Sequence, residues 1–263
     1  MALLTVKDLN VQFNNAEPDE YAVKDIDFTV EYDEIVGIVG ESGSGKSVTA
    51  MSICGLVDDA KINGTIEFDG RNILSLTENK LREIRGNDIC MIFQEPMSSM
   101  NPLIKVGRQI EESLKIHKNL TKQERYQLAI NAMKAVELND DEMVNYKYPH
   151  ELSGGMLQRC MIASCILTKP KLLIADEPTT ALDVTIQSQI IELLKKLNKD
   201  EKMAIMFISH DLNVVKKLCS KVVVMKSGRV VETGNIEEVF NYPCEEYTKK
   251  LISAIPTRDK KLY

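Results

Sequence analysis

The run Gly40-Glu41-Ser42-Gly43-Ser44-Gly45-Lys46-Ser47 puts a loop with few side-chain atoms directly before a lysine and a hydroxyl. Glycines let consecutive backbone N–H groups turn inward and form a concave nest for phosphate oxygens. A helix beginning at Lys46 aims its positive end at the same point. Lys46 is then placed for the β- and γ-phosphates of a nucleotide such as ATP, and the Ser47 hydroxyl for Mg²⁺, with Val48 completing the binding run. A glycine-rich surface turn has the same composition. The flanks favour the phosphate site, because Ile35-Val36-Gly37-Ile38-Val39 before it reads as a buried strand and a helical pattern follows.

A second group complements the first. Leu172-Leu173-Ile174-Ala175-Asp176-Glu177 is an apolar strand ending in two carboxylates. Ligands of parallel sheets sit beyond the carboxyl ends of the strands. There Asp176 suits the Mg²⁺ shell, and Glu177 suits the work of orienting and deprotonating an attacking water. Acidic pairs at strand ends also serve as helix caps. The phosphate loop in the same chain tips the reading toward chemistry.

The elements that must hold these groups can be read from hydrophobic period. Val6, Leu9, Val11 and Phe13, then Ile26, Phe28 and Val30, read as antiparallel strands. Residues 64–70 form a strand closed by a turn, and Cys90-Met91-Ile92-Phe93 is another buried strand. From about 103 to 168 the pattern becomes helical, with a capping box at Thr121-Lys122-Gln123-Glu124 and a capping Ser153. The chain then alternates strand and helix. Leu172–Ala175, Ala204–Ile208 and Val222–Met225 are apolar runs, and Ile190, Leu193, Leu194 and Leu197 form a helical stripe. Such alternation implies an α/β fold with a mainly parallel sheet covered on both faces.

At 263 residues the chain can bury a full-sized core, so one domain with a subdomain is expected rather than two domains. A net charge of −6 with interleaved signs argues against a nucleic-acid partner. No apolar run approaches the ~18 residues of a spanning helix. Met1-Ala2-Leu3-Leu4-Thr5-Val6-Lys7-Asp8 has no export-signal pattern, so a membrane role would require docking on another chain. Cys54, Cys90, Cys160, Cys165 and Cys219 lie in apolar or helical contexts and no C-x-x-C pair occurs. They read as small core residues in a reducing compartment, with no iron–sulfur cluster.

Leu152-Ser153-Gly154-Gly155-Met156-Leu157-Gln158-Arg159, shortly before the acidic strand, resembles the L-S-G-G-x-x-Q signature of ATP-binding-cassette (ABC) proteins. It is a second anion-binding design, a capping Ser and two glycines opening a helix. The resemblance covers nearly the whole chain. It implies a P-loop NTPase (RecA-like) core with an antiparallel β edge and an inserted helical subdomain. The lobes would be 1–102 with 166–240 for nucleotide binding, 103–165 for the helical part, and a tail at 241–263. By the same resemblance Gln94 is the glutamine that touches Mg²⁺ and senses the membrane partner. Ala181-Leu182-Asp183 is the loop that crosses the dimer interface. His210 holds the γ-phosphate side, and Ser153, Gly154, Gly155 and Asp183 meet the nucleotide of a second subunit. Phe13 is the expected adenine-stacking aromatic, with Tyr21 its rival.

The phosphate loop, Phe93-Gln94-Glu95-Pro96-Met97-Ser98-Ser99-Met100-Asn101-Pro102 and Asp176-Glu177-Pro178-Thr179-Thr180-Ala181-Leu182-Asp183 look like the branch that imports peptides and nickel. The tail Tyr242-Pro243-Cys244-Glu245-Glu246-Tyr247-Thr248-Lys249-Lys250-Leu251 is similar to that branch's tail motif, with Cys244-Glu245-Glu246 departing from it. The short form without a later cysteine cluster, and Met156-Leu157-Gln158-Arg159, lean toward nickel or metal chelates. The resemblance implies ATP hydrolysis on the cytoplasmic face of the membrane. It also implies a second, related ATPase subunit, two permease chains and an extracellular binding protein. A soluble ABC ATPase acting on ribosomes or DNA is the alternative, although such proteins normally carry two cassettes or a long insert. A P-loop kinase or switch GTPase would lack Ser153-Gly154-Gly155.

Overall fold

The computed structural model describes residues 2–17, 19–138, 141–180 and 182–255. Its strands are β1 (Ala2–Phe13), β2 (Val23–Glu31), β3 (Ile35–Val39), β4 (Ala60–Phe68), β5 (Arg71–Asn72), β6 (Ile89–Ile92), β7 (Leu172–Asp176), β8 (Ala204–Ser209), β9 (Lys221–Lys226) and β10 (Arg229–Asn235). Its helices are α1 (Lys46–Ile53), α2 (Glu78–Ile84), α3 (Pro96–Ser99), α4 (Val106–Ile110), α5 (Glu112–His117) and α6 (Lys122–Ala135). They continue as α7 (Asp141–Tyr146), α8 (Gly154–Ile166), α9 (Val184–Glu201), α10 (Leu212–Leu218), α11 (Ile236–Asn241) and α12 (Glu246–Ser253). The chain divides into two compact units, 1–74 with 206–263, and 75–205.

In the first unit, β1 pairs antiparallel with both β2 and β4. Alternation buries Leu4, Val6, Leu9 and Val11. The step from Val6 to Leu9 breaks the period of two because a register shift falls there, with Asp8 at φ 50. An extra residue in one strand is a β-bulge, which turns the next side chain back onto the buried face. A second set of strands surrounds β3, all five of whose residues are buried. β3 pairs parallel with β9, and β9 returns antiparallel as β10 through Ser227 and Gly228, both at positive φ as a two-residue hairpin demands. Helix α10 lies so close to β3 that a Cβ on Gly37 would be 2.5 Å from Val215 Cγ1.

The second unit carries the parallel pair β6 and β7, aligned from Ile89↔Leu172 to Ile92↔Ala175. Both strands are short apolar runs, as strands covered on two faces must be. The segment 106–166 contains only helices among its described elements, α4 to α8 with one 3₁₀ turn. Helix α6 opens with the full capping box, Thr121 accepting from the Glu124 amide and Glu124 from the Thr121 amide. Helix α8 is buried nearly all round, through Leu157, Cys160, Met161, Ile162 and Ala163. It packs against α3, α4, α6 and β6. Helix α9 buries Ile190, Leu193, Leu194 and Leu197 on one stripe. The chain leaves this unit within β8, whose six residues are all buried. Among the described residues no helix is long and apolar enough to cross a membrane.

Candidate functional site

In the first unit β3 runs straight into the loop 40–45, and α1 begins at Lys46. The loop is packed tightly against the end of β9. A Cβ on Gly40 would lie 2.2 Å from the Met225 carbonyl oxygen, so only glycine fits. Gly43 sits at φ +77, a left-handed conformation that glycine adopts without penalty. The β9–β10 turn braces the loop from outside, the Gly228 amide donating to Ser44 O at 3.1 Å. Lys46 is buried, and its ammonium donates to Gly40 O at 2.9 Å and Glu41 O at 2.8 Å. The cation therefore lies on its own loop, at the mouth of α1, where the helix end also favours negative charge. Ser47 and Val48 follow in the first turn of α1. Thr49 and Ser52 spend their hydroxyls on Gly45 O and Val48 O, one turn back.

Three other expected residues belong to the same unit. Phe13 ends β1, opposite Ala60. Tyr21 carries the Lys24 ammonium 4.9 Å above its ring. His210 is exposed and follows the buried β8 directly. Its neighbour Asp211 caps α10, accepting from the Asn213 and Val214 amides.

The second unit holds the carboxylates. β7 delivers a buried Asp176, and Glu177 follows at φ 47. A non-glycine residue in that region stores strain of roughly 1–3 kcal/mol and is common at functional sites. One oxygen of Glu177, Oε2, accepts from Thr180 Oγ1 at 2.9 Å and from Gln94 Nε2 at 3.3 Å. Gln94 is carried there by β6, the parallel neighbour of β7. Two residues expected separately at the nucleotide site, Gln94 and Glu177, are thus in contact. Thr180 was not foreseen as a partner of Glu177, although its hydroxyl within the motif 176–183 was a visible signal.

The signature opens α8 as expected, Ser153 accepting from the Met156 amide at 3.3 Å. Gly155 packs against α9, where a Cβ would be 3.0 Å from Ile186 Cγ2. Asp183 caps α9, accepting from the Ile186 amide at 2.9 Å. Ser153, Gly154, Gly155, Leu182 and Asp183 therefore line one open cavity of about 770 Å³. Ala181 lies outside the described residues. Buried Arg159 stiffens this wall, donating to Val136 O and, at 3.0 Å, to Gln189 Oε1. Ser47 in the first unit offers a hydroxyl oxygen, and Asp176 and Gln94 in the second offer a carboxylate and an amide oxygen. Each is a hard oxygen of the kind Mg²⁺ takes.

The free cysteines Cys54, Cys90, Cys160, Cys165 and Cys219 are all buried, and Cys244 is exposed. Burial pushes the Cys160 thiol up to about 12 and the Cys219 thiol higher still. Cys90 moves the other way, because a hydrogen bond from Cys165 outweighs burial.

Comparison with known proteins gives a consistent result. The family profile described as "ABC transporter" matches residues 23–180. The oligopeptide transport ATP-binding protein OppD of Escherichia coli (strain K12) is 48% identical over 259 residues, covering 98% of this chain and 77% of that one. The dipeptide transport ATP-binding protein DppD of the same strain is 47% identical over 258 residues, covering 97% and 79%. Among solved structures, the dimeric ATP-binding cassette MJ0796 in a post-hydrolysis state with ADP and Pi superposes with a TM-score of 0.80 at 28% identity, over 89% of this chain and 98% of that one. The cbiO1 chain of Clostridium perfringens, part of the transporter complex cbiONQ, superposes at 0.78 with 30% identity, over 92% and 91%.

Proposed function

The chain belongs to the ABC transporter family as an ATP-hydrolysing subunit, and we propose that it powers the import of peptides through separate permease chains. The observation that carries the reading is a Ser153-capped signature helix beside Asp183 in a chain that also carries the phosphate loop. Peptide cargo is favoured over nickel or metal chelates by the names of the relatives described above.

In the proposed mechanism the loop amides of 42–47 and the Lys46 ammonium bind the phosphates of ATP. Gly40 lets the strand enter the loop. When bound, Mg²⁺ would be held by Ser47 and Asp176, with the Gln94 amide oxygen completing the protein ligands, and would neutralise phosphate charge. Glu177 takes a proton from the attacking water. Thr180 and Gln94 fix one of its oxygens, which orients the other. His210 meets the γ-phosphate side, and Phe13 stacks on adenine. Ser153, Gly154, Gly155 and Asp183 serve the nucleotide of a second, related ATPase subunit, in an isologous or near-isologous pair. ATP then binds the closed pair better than the open one, and hydrolysis releases it. We retain the lobes 1–102 with 166–240, 103–165 and the tail 241–263 as the functional division.

The partner chains are two permeases and an extracellular binding protein, and the subunit sits peripherally on the cytoplasmic face of the membrane. In the second unit Leu103 is 84% exposed and Tyr146 59% exposed, beside a groove of about 420 Å³ that also involves Ile104, Arg108, Tyr126 and Tyr148. An exposed apolar patch of this kind marks an interaction face, which we assign to a permease. The test is to reconstitute the chain with its permeases and binding protein and measure ATPase stimulation. Stimulation by short peptides supports the reading. Stimulation by a nickel chelate alone would overturn the cargo, and copurification with ribosomes or DNA in place of permeases would overturn the transport role.

A further inference from the structure

The tail motif 242–251 has no part in the chemistry above, yet it reaches the phosphate loop. Its core is α12, and the first turn of that helix carries Tyr247. The Glu41 backbone amide donates to the Tyr247 hydroxyl oxygen at 3.2 Å, across 206 residues of sequence. The Lys226 ammonium lies over the ring, 4.9 Å from its centroid. Lys226 ends β9, whose preceding residue, Met225, lies against Gly40. The start of α12 is itself pinned to β10. Glu232 accepts from the Cys244 amide at 2.8 Å and the Glu245 amide at 3.1 Å, one bond to each carboxylate oxygen.

The Glu41 N–H belongs to the same peptide group as the Gly40 carbonyl. That carbonyl accepts from Lys46 Nζ at 2.9 Å. One peptide plane at the entrance of the loop is therefore held at both ends, by Lys46 through its C=O and by Tyr247 through its N–H. When the Lys46 ammonium turns to a phosphate, the C=O end is released. Gly40 offers no side chain to resist rotation of that plane. The tyrosine then still restrains its orientation through the N–H end.

We infer that Tyr247 is a positioning residue for ATP binding, by which the C-terminal tail holds the Gly40–Glu41 peptide in the orientation the loaded phosphate loop requires. The inference rests on the nucleotide-binding role of the loop and extends it to a residue outside the nucleotide-binding motifs. Burial pushes the Tyr247 phenol above its usual range, in spite of the Glu41 amide. The group is thus a neutral hydroxyl at physiological pH, and Tyr247→Phe removes one neutral hydrogen bond while leaving the ring and its cation contact.

The experiment compares Mg·ATP binding to the full chain, by equilibrium titration, in wild type, Tyr247→Phe, Glu232→Gln and the double variant. Unfolding of the nucleotide-free chain and kcat and KM of the assembled transporter are read alongside. The expected result for Tyr247→Phe is a Kd raised about threefold, within the roughly tenfold ceiling that one neutral hydrogen bond sets. KM should rise with it while kcat stays as in wild type, and the unfolding free energy of the nucleotide-free chain should fall by less than the binding free energy, because there Lys46 still holds the C=O end of the peptide. Glu232→Gln, which loosens the seat of α12 without touching the loop, should move Kd in the same direction, and the double variant should fall short of the product of the two. An unchanged Kd in Tyr247→Phe, with wild type binding normally, overturns the inference. So does a loss of nucleotide-free stability as large as the loss of binding, which would make Tyr247 a packing residue. Failure of the wild-type chain to bind ATP would instead strike the functional reading itself.

Discussion

Gly40→Ala and Gly43→Ala each add one methyl to the same loop, and the structure separates their consequences. At Gly43 an added Cβ meets nothing within 4 Å, so the cost is conformational alone. An L-residue held at φ +77 loses about 1–2 kcal/mol. At Gly40 the Cβ would stand 2.2 Å from Met225 O and 2.7 Å from Ser44 Oγ. The Met225 carbonyl sits on β9, whose neighbour Val224 is in register with Val39 just before the loop. It has nowhere to retreat without parting the β3–β9 pair. Overpacking of this kind adds roughly 1–3 kcal/mol. Gly40 is itself at φ +156, which also disfavours an L side chain, so Gly40→Ala should destabilise by about 2–5 kcal/mol against about 1–2 for Gly43→Ala, a large share of a typical stability of about 5–15 kcal/mol. Urea unfolding of the nucleotide-free chain, followed by circular dichroism, measures the difference. The reasoning is refuted if the two variants agree within about 0.5 kcal/mol, since the steric term would then be absent.

Mixing a Ser153→Arg chain with a Lys46→Ala chain, in pairs forced to form, should restore part of the ATPase activity that each lacks alone. One composite site then carries both lesions and the other neither, and mixtures of demonstrated mixed pairs that stay inactive would refute the trans role of the signature. A thiol reagent at neutral pH should label Cys244 rapidly, while Cys160 and Cys219, buried with raised pKa, react only on unfolding. Mass spectrometry of labelled peptides reads this directly, and rapid labelling of Cys219 in the folded chain would contradict the burial.

The parts of the site legible in the sequence are those set by local rules. The start of α1 at Lys46, the Ser153 cap and the Thr121–Glu124 box each depend on residues within one turn. β3 and β7 were visible as apolar runs before glycine and acid. What stayed hidden depends on distant partners. β10 is only half-buried and lacks a clean alternation, so its strand form follows from pairing with β9. Helix α12 begins where Glu232 collects the amides of Cys244 and Glu245, and Tyr247 finds Glu41 from the far end of the chain. The bulge at Lys7 and Asp8 shows the same limit inside one strand, because the break in period acquires its meaning only from the register with β2 and β4.

The most direct test of the account is single-turnover hydrolysis of Mg·ATP by Glu177→Gln in the assembled transporter, with nucleotide binding measured in parallel. A glutamine keeps an oxygen where Thr180 and Gln94 donate to Oε2, so the side chain should hold its place while losing its basicity. Binding should persist, and the rate should fall about 10²–10⁴-fold, or roughly 2.7–5.5 kcal/mol of barrier. Lys46→Ala should instead weaken binding itself. Hydrolysis by Glu177→Gln at close to the wild-type rate would contradict the assignment of Glu177 as the base, and with it the central claim.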